Sequence, residues 1–265
     1  MPVHARRSRA QDRNELPATV TPPVHEEAPT GSFAAGYAWH HRAYELAGIT
    51  TCVVLGAWAL HRVVASVSAK PALLAIVPVG LVVGLLLADW VSGFVHWMFD
   101  TWGSVDTPIV GQLAIRTFRE HHVDQKAICG HDFIETNGHN MTLAVIPFGL
   151  VAAQSDTSSW LGALIAASLV SWGVFVSITS QIHKWAHMAE PPRPVALLQR
   201  AGIFLRAGHH DVHHAAPFDE NYCITCGWLN GPLRAIGYFR GMERAITWLT
   251  GVKPRTDDLD VTGNA

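Results

Sequence analysis

The chain has 265 residues, of which 49% are hydrophobic and 15% are charged, and its formal net charge is −2. A typical soluble domain carries about 25% charged residues, so this composition excludes an ordinary water-soluble globule, and the apolar content excludes disorder for the bulk of the chain. The near-neutral charge gives no reason to expect a nucleic-acid partner, and four cysteines are too few for a disulfide scaffold.

The first 40 residues, 1–40, are predicted to form a disordered N-terminal tail. Five prolines interrupt this segment, and it contains no apolar run, so it is not a secretory signal. At the other end, residues 256–265 are expected to form a frayed C-terminus. Between the two, residues 41–255 form the predicted membrane domain.

Four apolar stretches follow the tail. A bilayer core about 30 Å thick needs about 20 apolar residues in a helix, and only helices satisfy their own backbone groups within lipid. The third stretch is too short to cross the bilayer alone. It either crosses together with its flanking residues or forms a half-buried helix. Buried core helices of a soluble protein are the alternative, which two runs near the spanning length disfavour. The pattern predicts an all-α integral membrane bundle of about four transmembrane helices, with spans near residues 43–66, 71–95, 141–155 and 157–182.

The distribution of positive charge predicts which side of the membrane each segment faces. No lysine or arginine lies between Lys126 and Lys184, so the turn near Asp156 is expected to face away from the cytoplasm. Residues 96–140 and 183–255 then form a histidine-rich helical cap on the cytoplasmic side. The composition, rich in alanine, valine and arginine, indicates a multi-pass protein of a bacterial inner membrane, or of the endoplasmic reticulum if the source is eukaryotic.

Histidine is the residue that points to chemistry, because eleven of the sixteen histidines lie within residues 96–214. Side chains four positions apart share a helix face, so His183 and His187 are expected to point the same way. Adjacent histidines such as His121 and His122 diverge by a little over a quarter turn, which suits two metal ions with one imidazole to each. The candidate metal ligands are His96, His121, His122, His131, His183, His187, His210, His213 and His214.

The number of these histidines indicates two ions. Neutral imidazole is a good ligand for zinc, iron, copper and nickel, and a single zinc ion needs only three or four protein ligands. Imidazole-rich sites with open positions suit iron that handles oxygen. Zinc hydrolysis is disfavoured because the chain has no H-E-x-x-H motif. A histidine-rich metal transporter is the alternative from another class, but these histidines follow the apolar runs instead of lying near the bilayer midplane.

Other residues near the clusters have weaker claims to a role in the site. His139 and His209 are interpreted as supporting or solvated residues. Cys223 and Cys226 form a C-x-x-C pair, but no second pair completes a zinc site, so both are interpreted as packed small residues. The ring nitrogen that does not bind metal needs a partner of its own. The acidic candidates for that role are Glu120, Asp132, Glu135 and Asp211.

Several motifs carry a resemblance to a known family. The strings DWVSGFVHW, FREHH, HDFIETNG, QIHKWAH, HHDVHH and NYCITCGWLN resemble the plasmanylethanolamine desaturase (Kua) family, a branch near the histidine-box membrane desaturases and hydroxylases. The match covers about residues 89–258. The resemblance implies a centre of two Fe ions. Its implied ligands are His96, His121, His122, His183, His187, His210, His213 and His214, with His131 in addition.

The resemblance also implies a reaction. A membrane phospholipid with a 1-O-alkyl chain (a plasmanyl lipid) loses two hydrogens next to the ether oxygen and becomes a vinyl-ether plasmalogen. The reaction uses O2 and two electrons from a reduced carrier, either a b-type cytochrome or a ferredoxin. Close relatives desaturate the acyl chain of phosphatidylglycerol, so a related di-iron acyl-lipid desaturase or hydroxylase is the alternative. The headgroup preference and the oligomeric state stay open.

Overall fold

The computed structural model describes residues 39–108, 110–215 and 217–255, and the regular elements in that part of the chain are helical. The predicted disordered tail and the predicted frayed C-terminus lie outside the described residues, except that residues 39 and 40 open the first helix. The α-helices in chain order are α1 (Trp39–Ala69), α2 (Val77–Thr101), α3 (Arg116–Val123), α4 (Phe133–Ala153), α5 (Trp160–His187), α6 (Arg193–Arg200), α7 (Ala207–His210), α8 (Asn230–Ala235) and α9 (Tyr238–Thr250). Short connecting turns are 3₁₀-helical at Pro71–Ala75 and Ala127–Gly130 and π-helical at Gly111–Ile115.

The four long helices α1, α2, α4 and α5 form a bundle. Helix α4 packs against both α1 and α5, and α2 packs against α5. A Cβ atom at Gly84 would lie 2.4 Å from the backbone oxygen of Ser168, and one at Gly80 would lie 2.6 Å from the Cβ of Ala167. The G-x-x-x-G spacing on α2 therefore lets its backbone approach α5 closely, as small residues do in membrane helices.

Three of these helices, α1, α2 and α5, are long and apolar enough to cross a membrane. Large apolar side chains on their outer surfaces, such as Val54, Leu81 and Leu161, are exposed. Such a surface suits contact with lipid. Lipid offers no hydrogen-bond partners, and a helix satisfies its own backbone groups. The prediction of an all-α membrane bundle is confirmed, whereas the count of four spans is not confirmed.

The third predicted span, residues 141–155, belongs to a helix that starts earlier. Helix α4 begins at Phe133 because the carboxylate of Asp132 accepts two hydrogen bonds of 2.9 Å from backbone N–H groups of its first turn. At the other end, Arg62 of α1 donates to two carbonyls of the last turn at 2.6 and 3.0 Å. The first two turns of α4 are rich in polar residues, so the helix lacks the continuous apolar length of the other three.

Helices α2 and α5 extend beyond the predicted spans at their cap ends. The spans were expected near residues 71–95 and 157–182, but α2 continues to Thr101 and α5 continues to His187. His96 and His183 therefore lie within the last turns of these long helices, at the cap end of the bundle. These polar side chains are tolerated there because they are buried against the cap.

Candidate metal centre

Two groups of candidate ligands lie at the cap end of the bundle. Within each group, one ligand atom per residue lies within 4.8 Å of all the others. The five-histidine group consists of His121, His183, His187, His210 and His214, and the histidine–carboxylate group consists of His96, Asp100, His122 and His213. Eight of the nine predicted histidines thus come together in the structure.

The two long helices each contribute a pair of ligands. Helix α5 supplies His183 and His187 to the five-histidine group, and α2 supplies His96 and Asp100 to the other group. Each pair is separated by four positions, so both side chains lie on one helix face. The remaining ligands come from α3 and from α7 with the turn that follows it.

Adjacent histidines divide between the two groups. His121 and His122 are neighbours on α3, and one lies in each group; the same holds for His213 and His214. The ring centres of His122 and His214 are 5.5 Å apart, so the two groups adjoin. This division agrees with the angular divergence expected of adjacent helical residues, and it suits a centre with two ions.

The Nε2 atoms of the five-histidine group converge more closely than hydrogen bonding explains. Nε2 of His183 lies 3.0 Å from Nε2 of His121 and 2.7 Å from that of His210. Nε2 of His187 also lies 3.1 Å from Nε2 of His183. A neutral ring nitrogen offers either one proton or one lone pair, so it cannot satisfy three partners. Ligands bound at about 2.1 Å and at right angles lie about 3.0 Å apart, so these spacings fit one shared ion.

The surroundings keep these imidazoles in the form that binds metal. Burial, reinforced by the neighbouring imidazoles, holds the pKa of His121 and of His210 well below its usual range. The same causes lower the pKa of His214 to about 2. A protonated imidazole does not coordinate a metal, so a site that disfavours protonation favours coordination.

The histidine–carboxylate group fits a cation for a different reason. Oδ2 of Asp100 lies 3.4 Å from Nε2 of His96 and 3.5 Å from Nε2 of both His122 and His213. These distances are long for hydrogen bonds, and within the described chain neither carboxylate oxygen of Asp100 has a hydrogen-bond partner. Buried polar atoms are normally satisfied, and an ion shared by one carboxylate and three imidazoles satisfies all four side chains.

Backbone carbonyls orient two of these imidazoles. Nδ1 of His96 donates to the carbonyl oxygen of Tyr222 at 3.2 Å, and Nδ1 of His213 donates to that of Glu220 at 2.8 Å. A proton held on Nδ1 leaves the lone pair of Nε2 available for a metal. The loop of residues 220–230, here called the anchored loop, therefore sets the orientation of two candidate ligands.

The acidic residues expected to orient imidazoles have other contacts. Asp132 caps α4, Glu120 lies near an arginine on its own helix, and Asp211 is exposed. Glu135 lies 3.8 Å from Nε2 of His131, which is in neither group. The orienting contacts described above come from carbonyl oxygens instead. The expected hydrogen-bond partner of the second ring nitrogen is therefore present for His96 and His213, but it is a backbone carbonyl and not a carboxylate.

Three histidines of the cap lie outside both groups. His131 is the predicted ligand that the structure does not bring to the others, and its ligand role stays a prediction. His139 has Nδ1 3.7 Å from the buried carboxylate of Glu45 on α1. Nε2 of His209 contacts Nδ2 of Asn230 at 2.9 Å, so this ring supports the anchored loop.

Asp100 is the candidate ligand that the sequence does not single out. It follows His96 by four positions, so one helical turn separates the two side chains. The signal is present in the string HWMFD, but acidic residues at helix ends are common without a metal. Its near-complete burial, which only the folded chain reveals, is what distinguishes it.

A buried carboxylate on α2 holds the anchored loop in place. Oδ1 of Asp89 accepts hydrogen bonds from the backbone N–H groups of Cys226 and Gly227, both at 2.8 Å. Oδ2 accepts a third from Leu229 at 3.0 Å. Hydrogen bonds to a charged acceptor are about twice as strong as neutral ones. The end of α2 that carries the candidate ligands and the loop that orients His96 are thus fixed to each other.

The two cysteines of the anchored loop pack as expected. Cys223 and Cys226 are buried free thiols, and burial raises the pKa of both. Neither is therefore a ready thiolate. A Cβ atom at Gly93 would lie 2.4 Å from Sγ of Cys223, so the loop is in direct contact with α2.

The fold and the site together define a class: an all-helical membrane protein in which histidines at the ends of apolar helices form two adjoining groups that can hold metal ions. The lipid desaturase domain matches residues 85–257, well over half of the chain. The chain belongs to this lipid desaturase family and is an oxidoreductase. The resemblance drawn from the histidine motifs is confirmed.

Individual relatives cover most of the chain. A plasmanylethanolamine desaturase from Myxococcus xanthus is 44% identical over 227 residues, which is 85% of this chain and 79% of the relative. Plasmanylethanolamine desaturase 1 from Mus musculus is 47% identical over 192 residues, 69% of this chain and 70% of the relative. Fatty acid desaturase 4-like 2, chloroplastic, from Arabidopsis thaliana is 32% identical over 231 residues, 82% of this chain and 75% of the relative. No solved structure matches the chain significantly.

Proposed function

We propose that this protein introduces the vinyl-ether double bond into 1-O-alkyl phospholipids and so produces plasmalogens, with two irons as its cofactor. The observation that carries the proposal is the adjoining of the five-histidine group and the histidine–carboxylate group. The substrate class follows from relatives named plasmanylethanolamine desaturase at 44% and 47% identity. The two groups could hold two ions, and the names of the relatives indicate the class of lipid substrate.

The overall reaction balances in electrons and protons. The –CH2–CH2–O– unit of the alkyl chain loses two electrons and two protons and becomes –CH=CH–O–. O2 accepts four electrons and four protons to give two water molecules. The lipid supplies half of each, a reduced electron carrier supplies the other two electrons, and solvent supplies the other two protons.

The chemistry explains why a metal centre suits this substrate. An unactivated alkyl C–H bond has no acidic proton, so a side-chain base cannot break it; two irons, when bound, supply the O2-dependent oxidising power. The chain's own contribution is to hold the imidazoles neutral, to direct Nε2 of His96 and His213 inward, and to bury the site from water. The ether oxygen stabilises electron deficiency on the neighbouring carbon, which favours that position in the chain.

The proposal includes an orientation in the membrane. Residues 41–255 form one desaturase domain, with the histidine-rich segments 96–140 and 183–255 on the cytoplasmic side of a bacterial inner membrane. The absence of lysine and arginine between Lys126 and Lys184 supports this orientation. The alkyl chain then enters between the helices with its headgroup at the cytoplasmic surface, beside the metal centre.

An acyl-lipid desaturase built on the same centre is the second candidate. The 32% identity to a relative named chloroplastic fatty acid desaturase 4-like 2 favours it. The two candidates use the same ligands, so they differ in the shape of the lipid slot and in the bond that is oxidised.

The deciding experiment uses bacteria that make no plasmalogens. Cells expressing the chain receive an isotope-labelled 1-O-alkyl phospholipid, and acid-labile vinyl ethers are measured by mass spectrometry. We expect labelled vinyl ether from the wild type, none from His187→Ala, and wild-type output from His139→Ala, whose ring lies outside both groups. New acyl double bonds without vinyl ether would overturn the proposal in favour of the second candidate. Purified active protein with clearly fewer than two irons per chain would overturn the di-iron assignment.

A further inference from the structure

The backbone of Phe218 adopts a conformation that a bulky residue disfavours. Its φ angle is 60°, in the left-handed region, and Asn221 in the same segment has a φ of 57°. Asparagine tolerates this region, and Nδ2 of Asn221 donates to the carbonyl of His209 at 3.0 Å. The N–H of Phe218 donates to the carbonyl of Ala215 at 3.0 Å, which the N–H of a glycine would do equally well. The turn therefore does not account for a phenylalanine at this position, and the reason lies in its ring.

The ring of Phe218 lies flat on the imidazole of His122. The ring centres are 5.1 Å apart and the planes are inclined by 25°. The rings of His213 and His214 instead meet the His122 imidazole edge-on, at 72° and 76°. Both Phe218 and His122 are buried, so the aromatic ring covers one face of a candidate ligand. A stacked aromatic pair has a preferred geometry, and the contact therefore constrains the plane of the imidazole.

His122 is oriented differently from the other imidazoles of the histidine–carboxylate group. Nδ1 of His96 and Nδ1 of His213 donate to backbone carbonyls. Among the residues that the structure describes, Nδ1 of His122 has no hydrogen-bond partner, and its Nε2 lies 3.5 Å from Oδ2 of Asp100. A ligand imidazole needs a fixed ring plane if the lone pair of Nε2 is to point at a metal. For His122, the flat contact with Phe218 supplies that constraint.

We propose that Phe218 is a positioning residue of the metal centre: its ring fixes the plane of His122 and so directs Nε2 of that imidazole at the ion of the histidine–carboxylate group. Phe218 supplies no ligand atom itself. This role rests on the proposed two-ion centre. The left-handed backbone places the ring over the imidazole, and the hydrogen bond to Ala215 ties the turn to the segment that carries His213 and His214.

Apolar packing is the competing explanation for the ring, and leucine separates the two. Leucine fills much of the volume of a phenylalanine but has no ring plane, so Phe218→Leu keeps an apolar contact and removes the orientation. Phe218→Gly suits the left-handed backbone and removes the ring. Phe218→Tyr keeps the ring. The matched control is Phe148→Leu on α4, because Phe148 is buried in the core of the bundle and lies outside both ligand groups.

Metal binding by the full chain tests the proposal without relying on turnover. Each protein, purified in detergent micelles and freed of metal, is titrated with Co²⁺ in the absence of O2, and the visible absorption of the ion reports its ligands. His122→Ala identifies the binding step that belongs to the histidine–carboxylate group. Phe218→Leu and Phe218→Gly should weaken that step about tenfold or more and leave the other close to the wild type, since residues that orient a ligand typically change metal affinity by about 10- to 100-fold. Phe218→Tyr should bind like the wild type, and Phe148→Leu should bind both ions normally while its melting temperature falls.

The same variants distinguish failure of this role from failure of the proposed function. Unchanged Co²⁺ binding by Phe218→Leu would overturn the role of the ring, as would equal weakening in Phe148→Leu or in Phe218→Tyr. These comparisons decide the question even if Phe218→Gly does not fold. A wild type that takes up a single Co²⁺ would overturn the two-ion centre, and the role of Phe218 with it. If the wild type binds two ions and the variants behave as expected while cells make no vinyl ether, the proposed substrate fails and the role of Phe218 stands.

Discussion

The substitution Asp89→Asn should detach the anchored loop from α2. Asparagine still offers an oxygen to the N–H groups of Cys226 and Gly227, but it turns an amide NH2 towards the N–H of Leu229. Losing one charge-assisted hydrogen bond costs about 1.5 to 3 kcal/mol, and converting two others to neutral bonds costs about 0.5 to 1 kcal/mol each. Because the carboxylate is fully buried, no solvent screening reduces these values. We expect the free energy of unfolding to fall by about 2.5 to 5 kcal/mol.

Ser92→Ala is the matched control for this prediction. Ser92 lies on the same helix, and its Oγ accepts one neutral hydrogen bond from Ile224 of the same loop at 3.1 Å and donates to the backbone carbonyl of Asp89 within α2 at 2.8 Å. Its loss should cost about 1 kcal/mol. Unfolding in mixed micelles, followed by circular dichroism, gives both values, and iron per chain should fall further in Asp89→Asn than in Ser92→Ala. Equal stability of the two variants would refute the view that the carboxylate anchors the loop.

Three further predictions test the site and its surroundings. His131→Ala should retain the wild-type iron content, because its ring lies outside both groups; a loss of iron on elemental analysis would restore it as a ligand. Gly93→Ala should destabilise the protein by about 1 to 3 kcal/mol in the same unfolding assay, because the new Cβ would overlap Sγ of Cys223 in the anchored loop. This loss exceeds the roughly 1 kcal/mol by which alanine is favoured over glycine in a helix. Unchanged stability would contradict the contact. Hydrogen bonds from Ser159 and Ser158 hold the pKa of Asp156 below its usual range, so this group stabilises the fold above the unfolded-state pKa and ceases to do so as the pH falls. The melting temperatures of wild type and Asp156→Asn should therefore differ near about pH 6, and the gap should begin to close only below about pH 4 and narrow further as the pH falls towards the lowered pKa; a gap that does not change with pH would count against this origin.

The bundle and most of the candidate ligands could be predicted because their signals are local. Uncharged apolar runs of spanning length fix α2 and α5, and the four-residue spacing of His183 and His187 fixes a shared face. The division of His121 and His122 between two groups also follows from helix geometry alone. These inferences need no knowledge of what packs against each helix.

The parts that escaped prediction depend on tertiary contacts. Asp100 becomes a candidate ligand only because three imidazoles from distant segments surround it. The carbonyls that orient His96 and His213 belong to a loop more than a hundred residues from α2, and a carbonyl has no signature in the sequence. Helix α4 extends through a polar segment because Asp132 caps it there, so hydropathy placed its start too late.

The division of neighbouring histidines has a consequence for how the centre tolerates change. A single peptide bond joins His121 to His122, and another joins His213 to His214, so covalent geometry acts as a fixed spacer between the two halves. A register slip in α3 would displace one donor from each half at once. A shift of either backbone segment therefore displaces ligand atoms of both groups together.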